Sequence, residues 1–436
     1  MNLQKPHCFF ASDLANMKKT LLQLFFALSG YAAIAQQAAN DSISLGASYV
    51  NDVYYSFENG TVGTAQGNNW HIALSTRPAA PPMDVMRSAT VATNSARGVL
   101  LFKSNQNDWS TFTADGYNTW PKGYNSDTSW DVGAFNANRT TNGFDFGWGM
   151  YNMQSHNVEG NSIFLLAIVE RNGPSFDTTF KKIMINKLAY DTQWVFTFSN
   201  VDGSDSNYVT IGRGAYAGKL FVYYDLKNKQ IVDREPTASW DVLFTRYTTY
   251  TTQFGITQLG TSTGVLHHPS ARSAKVDGLP EDSITIDMAN FSRNINTIGT
   301  DWKANPGPGM PFFSVYDSTV YFVRLANNKQ YRLAFRRFDG SSNGRITFYK
   351  NAEANFTGLL ERKTLPTVNV YPNPASTNVT VETGVGLHTV ALFDITGRCV
   401  KQLQASGTVV VDLIDVKKGL YFIQVDGFKA AKFIVE

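Results

Sequence analysis

Few side chains in this sequence have the chemistry to hold a metal or a metal-bearing group. His267 and His268 stand together behind the apolar pair Val265-Leu266. Imidazole nitrogen is a common metal ligand, but neighbours on an extended segment point to opposite sides, so at most one of the two can face a pocket. Taken alone, the pair reads as surface histidines. Met310, in the run Asn305-Pro306-Gly307-Pro308-Gly309-Met310-Pro311, and Met288 offer a soft thioether, and each reads more simply as packing or loop filler. Met150, Met153 and His156 recur at i, i+3 and i+6 beside Trp148. That spacing would line one side of a short helix, which nothing else in the stretch predicts, so core or surface roles are the simpler reading. His71 follows Trp70 and is expected on the solvent face of its strand, and His388 falls in the C-terminal tail.

Catalytic patterns are missing. There is no His-Glu-x-x-His, no phosphate loop and no EF-hand pattern. The expectation is a protein that is not an enzyme. Of the two cysteines, Cys8 lies in the expected leader and Cys399 near the C-terminus, so the mature chain forms no internal disulfide. Cys399 is expected to be a small buried apolar residue.

The elements that must position these residues are strands. Aromatics make up 13% of the 436 residues, with 30 Phe, 20 Tyr and 8 Trp, while charged residues are only 17%. Aromatic and β-branched runs broken by Gly, Asn and Asp turns favour sheets. No segment sustains an apolar period of 3.6, so helices should be few and short. The length suits two or three domains. A net charge of +3, evenly spread, gives no reason to expect nucleic acid or an anionic membrane surface as partner.

Residues 1–36 read as a leader. Met17-Lys18-Lys19 opens a basic start, Leu21–Leu28 is an apolar run, and Ala32-Ala33-Ile34-Ala35 supplies the small residues of a cleavage site. Met17 is the expected true start. The apolar run is too short to span a membrane, and no later stretch reaches the necessary length.

Within the body, one block occurs twice. Tyr223-Tyr224 is followed by a polar turn and then by Trp240-Asp241-Val242-Leu243-Phe244; Tyr54-Tyr55 is followed at a similar distance by Trp70-His71-Ile72-Ala73-Leu74. Leu188–Trp194 is echoed by Leu325–Tyr331, and Phe198, Gly203 and Ile211 by Phe335, Gly340 and Phe348. A period this long means two tandem β-rich units, 45–212 and 220–350, and not a solenoid. The Trp-Asp pairs are expected to be structural, with Trp240 filling a core and Asp241 bonding backbone or Arg246. Residues 351–365 read as a polar linker. Residues 366–436 carry short strands spaced by Gly and Asp turns, the pattern of a small β-sandwich. The expected fold class is therefore all-β.

Two resemblances sharpen these expectations. The tail resembles the type A C-terminal sorting domain of the Bacteroidetes type IX (Por) secretion system, through Val370-Tyr371-Pro372-Asn373-Pro374-Ala375, Leu392-Phe393-Asp394-Ile395-Thr396-Gly397-Arg398, Gly419–Val425 and Lys432-Phe433-Ile434-Val435. The resemblance implies passage through the outer membrane, the type IX machinery as partner of residues 366–436, and cleavage with anchoring to surface lipopolysaccharide. The body resembles the HmuY family of haem-binding proteins through Tyr224-Asp225-Leu226, Ser239–Phe244, the Gly-rich stretch 255–264, Tyr331–Phe335 and Gly344–Phe348; the first copy is the more divergent. It implies two HmuY-like units and capture of haem, free or from a host haemoprotein, through axial His or Met side chains. His267 or His268 would then ligate the iron, with Met310 as a second ligand and Met153 and His156 as candidates in the first copy. The alternative is a surface binding or adhesion protein that keeps the fold without a haem site.

Overall fold

The computed structural model describes residues 39–79, 86–190, 192–237, 239–253, 256–304, 313–353, 367–383, 386, 388–395, 398–425, 428 and 430–436. The expected leader, the Pro-Gly loop with Met310 and most of the expected linker lie outside the described residues. The chain divides into two units, residues 1–354 and 355–436.

Both units are all-β, and every helix among the described residues is a three-residue 3-10 turn. The first unit begins with β1 (Ala39–Ser44), β2 (Asn51–Ser56), β3 (Gly60–Gln66), β4 (Ile72–Ser75), β5 (Val91–Thr93), β6 (Val99–Lys103), β7 (Lys122–Gly123), β8 (Gly149–Tyr151) and β9 (Val158–Gly160). It continues through β10 (Phe164–Asn172), β11 (Ser175–Ala189), β12 (Gln193–Asn200), β13 (Asn207–Gly212), β14 (Phe221–Asp225), β15 (Gln230–Val232), β16 (Val242–Gln253) and β17 (Ile256–His267). It closes with β18 (Arg272–Asp277), β19 (Lys303–Ala304), β20 (Ser314–Val315), β21 (Thr319–Arg324), β22 (Gln330–Phe338) and β23 (Arg345–Glu353).

The two copies do not stand in tandem. They are interleaved. The double-Tyr strand of the first copy, β2, pairs with the Trp strand of the second, β16, through Val242↔Tyr55 and Leu243↔Tyr54. The double-Tyr strand of the second, β14, pairs with β4 of the first, through Ile72↔Tyr224 and Ala73↔Tyr223. Two four-stranded sheets of the same build result, β3-β2-β16-β17 and β15-β14-β4-β5. Pairing therefore crosses the boundary expected between 212 and 220. The physical reason lies in the alternation: each Tyr-Tyr strand has two buried faces to satisfy, and the opposite copy's Trp strand supplies the matching edge.

Two larger sheets flank this pair, β1-β23-β22-β21-β18 on one side and β13-β12-β11-β10-β6-β7 on the other. Shared cores fix the order of the layers. Ile72, Leu74, Val222 and Tyr224 from one inner sheet meet Leu101, Phe164, Leu166, Trp194 and Phe196 from its outer sheet. Val53, Tyr55, Val242 and Phe244 from the other meet Tyr321, Leu333, Phe335 and Phe348. The residues between them on the same strands, Tyr54, Ala73, Phe221, Tyr223 and Leu243, form a third cluster in which the two inner sheets lie back to back. Successive side chains thus serve different cores, the period-2 rule applied to strands buried on both faces. Close approach of backbone is needed at Gly160, where a Cβ would lie 1.8 Å from the carbonyl oxygen of Ile185, beside the β11 bulge.

The second unit is a small sandwich. Its strands are β24 (Asn369–Tyr371), β25 (Asn378–Glu382), β26 (His388–Asp394), β27 (Cys399–Ala405), β28 (Thr408–Asp412), β29 (Gly419–Val425) and β30 (Ala431–Val435). Sheets β24-β25-β28 and β27-β26-β29-β30 enclose Val379, Val381, Leu392, Val411, Ile423 and Phe433. Cys399 is exposed, contrary to the expectation of burial: it opens an amphipathic strand whose inward positions are Val400 and Leu403.

Candidate functional site

One of the two histidines is fully buried and the other is half-buried. His267 is 1% exposed, because β17 runs between β16 and the loop that carries Ile295, and the His267 N–H donates to the Ile295 carbonyl at 2.9 Å. Its ring Nδ1 lies 2.9 Å from the His268 carbonyl oxygen, and its Nε2 is buried without a partner. His268 packs edge-on against Trp240 with ring centres 4.6 Å apart, and its Nδ1 lies 2.6 Å from the Ser270 hydroxyl. Burial pushes both imidazoles below their ordinary pKa, His268 to about 4 with Arg77 and His267 adding to the depression. Both are held neutral near pH 7.

The remaining ligand candidates are dispersed. Met153 is 69% exposed, in the turn between β8 and β9, and His156 follows it with its Nδ1 2.8 Å from the Tyr151 hydroxyl. No helix forms over 150–156, so the i, i+3, i+6 spacing never becomes a shared face. Met288 is half exposed on a 3-10 turn. Met310 lies outside the described residues. Among those residues, no group of three His, Cys, Asp or Glu side chains comes together as a metal site.

His71 also departs from expectation. It is 5% exposed, since the strand face it occupies is covered by the β14–β15 turn of the other copy. Its Nδ1 accepts the Leu226 N–H at 3.1 Å and lies 3.2 Å from an Asp225 oxygen. Asp241, the matching residue, accepts the Phe57 N–H at 2.8 Å.

One cavity is a cleft between the back-to-back inner sheets, about 110 Å³ in volume. Trp70, Trp130, Phe221, Tyr223 and Leu243 give it apolar walls, and Arg97, Arg234, Arg246 and Asp52 line it with charge. Asp52 is shared: its Oδ1 lies 3.2 Å from Arg97 Nη2 and 2.7 Å from the Thr245 hydroxyl, and its Oδ2 lies 2.5 Å from Arg234 Nη2. Arg234 also lies over the rings of Tyr223 and Trp70, at 5.0 and 5.5 Å. Arg246 rests over Tyr49 at 6.0 Å. Burial lowers the pKa of Arg97, with Asp52 pulling the other way and the like charges of Arg246 and Arg234 adding to the depression. Burial lowers that of Arg246 too. Such an arrangement of apolar walls and a few charged groups could hold and orient a ligand.

Asp52, Arg97 and Arg234 did not stand out from sequence spacing, since they come from β2 and from the segments around 95 and 234. The available hint was the Trp70 block itself, together with the additional Trp130-Asp131-Val132. Trp130 proves to be a wall of the cleft, its Nε1–H donating to the His267 carbonyl at 2.9 Å.

In the second unit, residues 369–436 match the secretion system C-terminal sorting domain. The tail is a type IX sorting domain. It puts the protein on the route to the cell surface or the surrounding medium and makes the type IX machinery its partner. Its Tyr371 hydroxyl donates to Glu382 at 2.9 Å, and its Asp394 pairs with Arg398 at 3.1 Å, so two of the motif blocks stabilise local turns and strands. No curated protein and no solved structure matches the chain. No helix among the described residues is long and apolar enough to cross a membrane.

Proposed function

We propose that this is a non-catalytic binding protein of the cell surface or the exterior, with the cleft between its inner sheets as the ligand site. The observation that carries the reading is the cleft itself. A concave, aromatic-walled cavity with a few convergent polar groups is the usual form of a small-molecule site, and here both copies contribute to one wall system. Export by the sorting tail supports a ligand met outside the cell, and cleavage with lipopolysaccharide anchoring is the proposed end state. The test is a ligand screen by thermal shift on the mature chain and on Ala96→Trp, which adds an indole to the cleft lining. Ligands that stabilise the wild type and not the variant support the reading. Ligands that stabilise both equally bind elsewhere and sink it.

The second reading is haem capture, based on the resemblance of the second copy to the HmuY family. One observation favours it: His267 keeps a ring nitrogen without a partner, the lone pair that iron would need. Access does not fit. The ring is closed off, and no His, Met or Cys is among the described residues that line the cleft. A haem titration followed in the Soret region decides between the readings. A saturable shift abolished by His267→Ala would establish haem capture, whereas a free-haem spectrum would remove it.

A further inference from the structure

The two Trp positions of the duplication are not used alike. Trp240 Nε1–H donates to Glu235 at 3.3 Å. Trp70, its counterpart, lines the cleft, and its Nε1 is buried without a partner. Two further lining residues share that state: the Thr93 hydroxyl and the Nε of Arg234. Buried donors left unpaired are costly, and each calls for an explanation, an absent partner among them. The electrostatics point the same way. Three guanidinium groups line the cleft against a single carboxylate, Asp52, which Arg97 and Arg234 already share. Among the described residues no carboxylate lies within ion-pair distance of Arg246. A cleft with apolar walls and an excess of donors is complementary to an amphipathic anion.

We propose that the cleft binds a small organic anion, a carboxylate carried on a ring of sugar or aromatic size. Arg246 meets its charge, Trp70, Thr93 and Arg234 supply donors to its oxygens, and its ring packs against the aromatic walls. The inference rests on the cleft being the binding site and adds the charge of the ligand to it. A planar guanidinium suits a carboxylate because its paired N–H groups match the two oxygens.

The test is calorimetric titration of the mature chain with glucuronate, benzoate, glucose, benzyl alcohol and inorganic phosphate, in low and high salt, repeated with Arg246→Gln, Arg246→Lys and Ala96→Trp. The expected result is binding of glucuronate or benzoate, weaker in high salt, roughly tenfold weaker in Arg246→Gln and partly restored in Arg246→Lys. Equal binding of the neutral partners, with loss in Ala96→Trp, would overturn the anion inference and leave the cleft reading standing. Binding of the acids that Ala96→Trp leaves unchanged would overturn both. Phosphate binding as tightly as the carboxylates would overturn the organic part of the proposal, and no binding by either acid would overturn the whole of it. The charge panel needs only wild-type protein, so a variant that fails to fold does not remove the test.

Discussion

His71 Nδ1 and Asp241 Oδ2 perform the same task at equivalent positions of the two interleaved copies. Each accepts a backbone N–H from the hairpin that the other copy contributes, from Leu226 at 3.1 Å and from Phe57 at 2.8 Å. Their own backbone N–H groups match too. His71 N–H donates to the Tyr224 carbonyl and Asp241 N–H to that of Tyr55. The exchange of hairpins is thus pinned at both seams by one residue whose type has diverged and whose hydrogen bond has not.

Removal of either acceptor leaves a backbone N–H at the seam without its partner. Asp241→Ala and His71→Ala are each expected to cost about 1–3 kcal/mol. Asp241→Asn keeps an acceptor oxygen and should cost less than Asp241→Ala. Urea denaturation of the three variants beside wild type checks the order.

Stability should fall in acid through the buried histidines. The folded pKa values of His71, His267 and His268 all lie below the unfolded value, because burial disfavours the charged ring. Between the unfolded value near 6.5 and each folded value, the unfolded chain binds more protons, so stability is present above about pH 6.5 and is lost as pH falls toward the folded values. His268, at about 4, has the widest window. Its replacement by Gln should flatten the stability profile between about pH 6 and about pH 4, read from urea midpoints.

Lys303 carries the opposite chemistry with the same sign. Its ammonium donates to the carbonyls of Thr263 and Thr300 and lies 4.5 Å from the centre of the Trp302 ring, and burial lowers its pKa to about 7. Above the unfolded lysine value both states are neutral. As pH falls from there to about 7 the unfolded chain gains a proton first, and stability declines. Lys303→Met should therefore gain stability relative to wild type as pH falls from about 10 to about 7. A constant difference across that range would contradict a displaced lysine.

Asp52 holds two buried guanidinium groups at once. Its replacement by Asn leaves Arg97 and Arg234 without their shared carboxylate and should destabilise by about 3–5 kcal/mol, since breaking a buried pair strands its charge. Chemical denaturation gives the number, and a loss below ~1 kcal/mol would mean that the pairs are effectively solvated.

Interleaving makes a prediction about fragments. Residues 68–236 contain both strands of every pairing in the sheet β15-β14-β4-β5 and its flanking sheet, and should unfold cooperatively by circular dichroism. Residues 220–353 lack β1 and β2, and with them Ile43, Val53, Tyr55 and Phe57 of their core. That fragment should remain unfolded until residues 39–67 are added in trans. Independent folding of 220–353 would restore the tandem description.

Much of this protein can be read from its residues in order. The strands, the closing hairpins β11–β12 and β21–β22, the scarcity of helix and the blocks of the sorting tail all follow from local alternation, turn chemistry and short-range motif spacing. The internal duplication is equally visible, because it is a property of the string. Which copy pairs with which is not. Tyr54 and Tyr223 meet the same local rules whether their sheets are completed within a copy or across copies, and only the competition among long-range strand edges settles it. That choice buries His71, turns the Leu243 and Tyr223 faces toward each other, and brings Asp52, Arg97 and the Arg234–Arg246 stretch to one cleft. His267 shows the same limit: the sequence determines that at most one of two adjacent rings can turn inward, while the loop packed over β17 decides that His267 is the one buried.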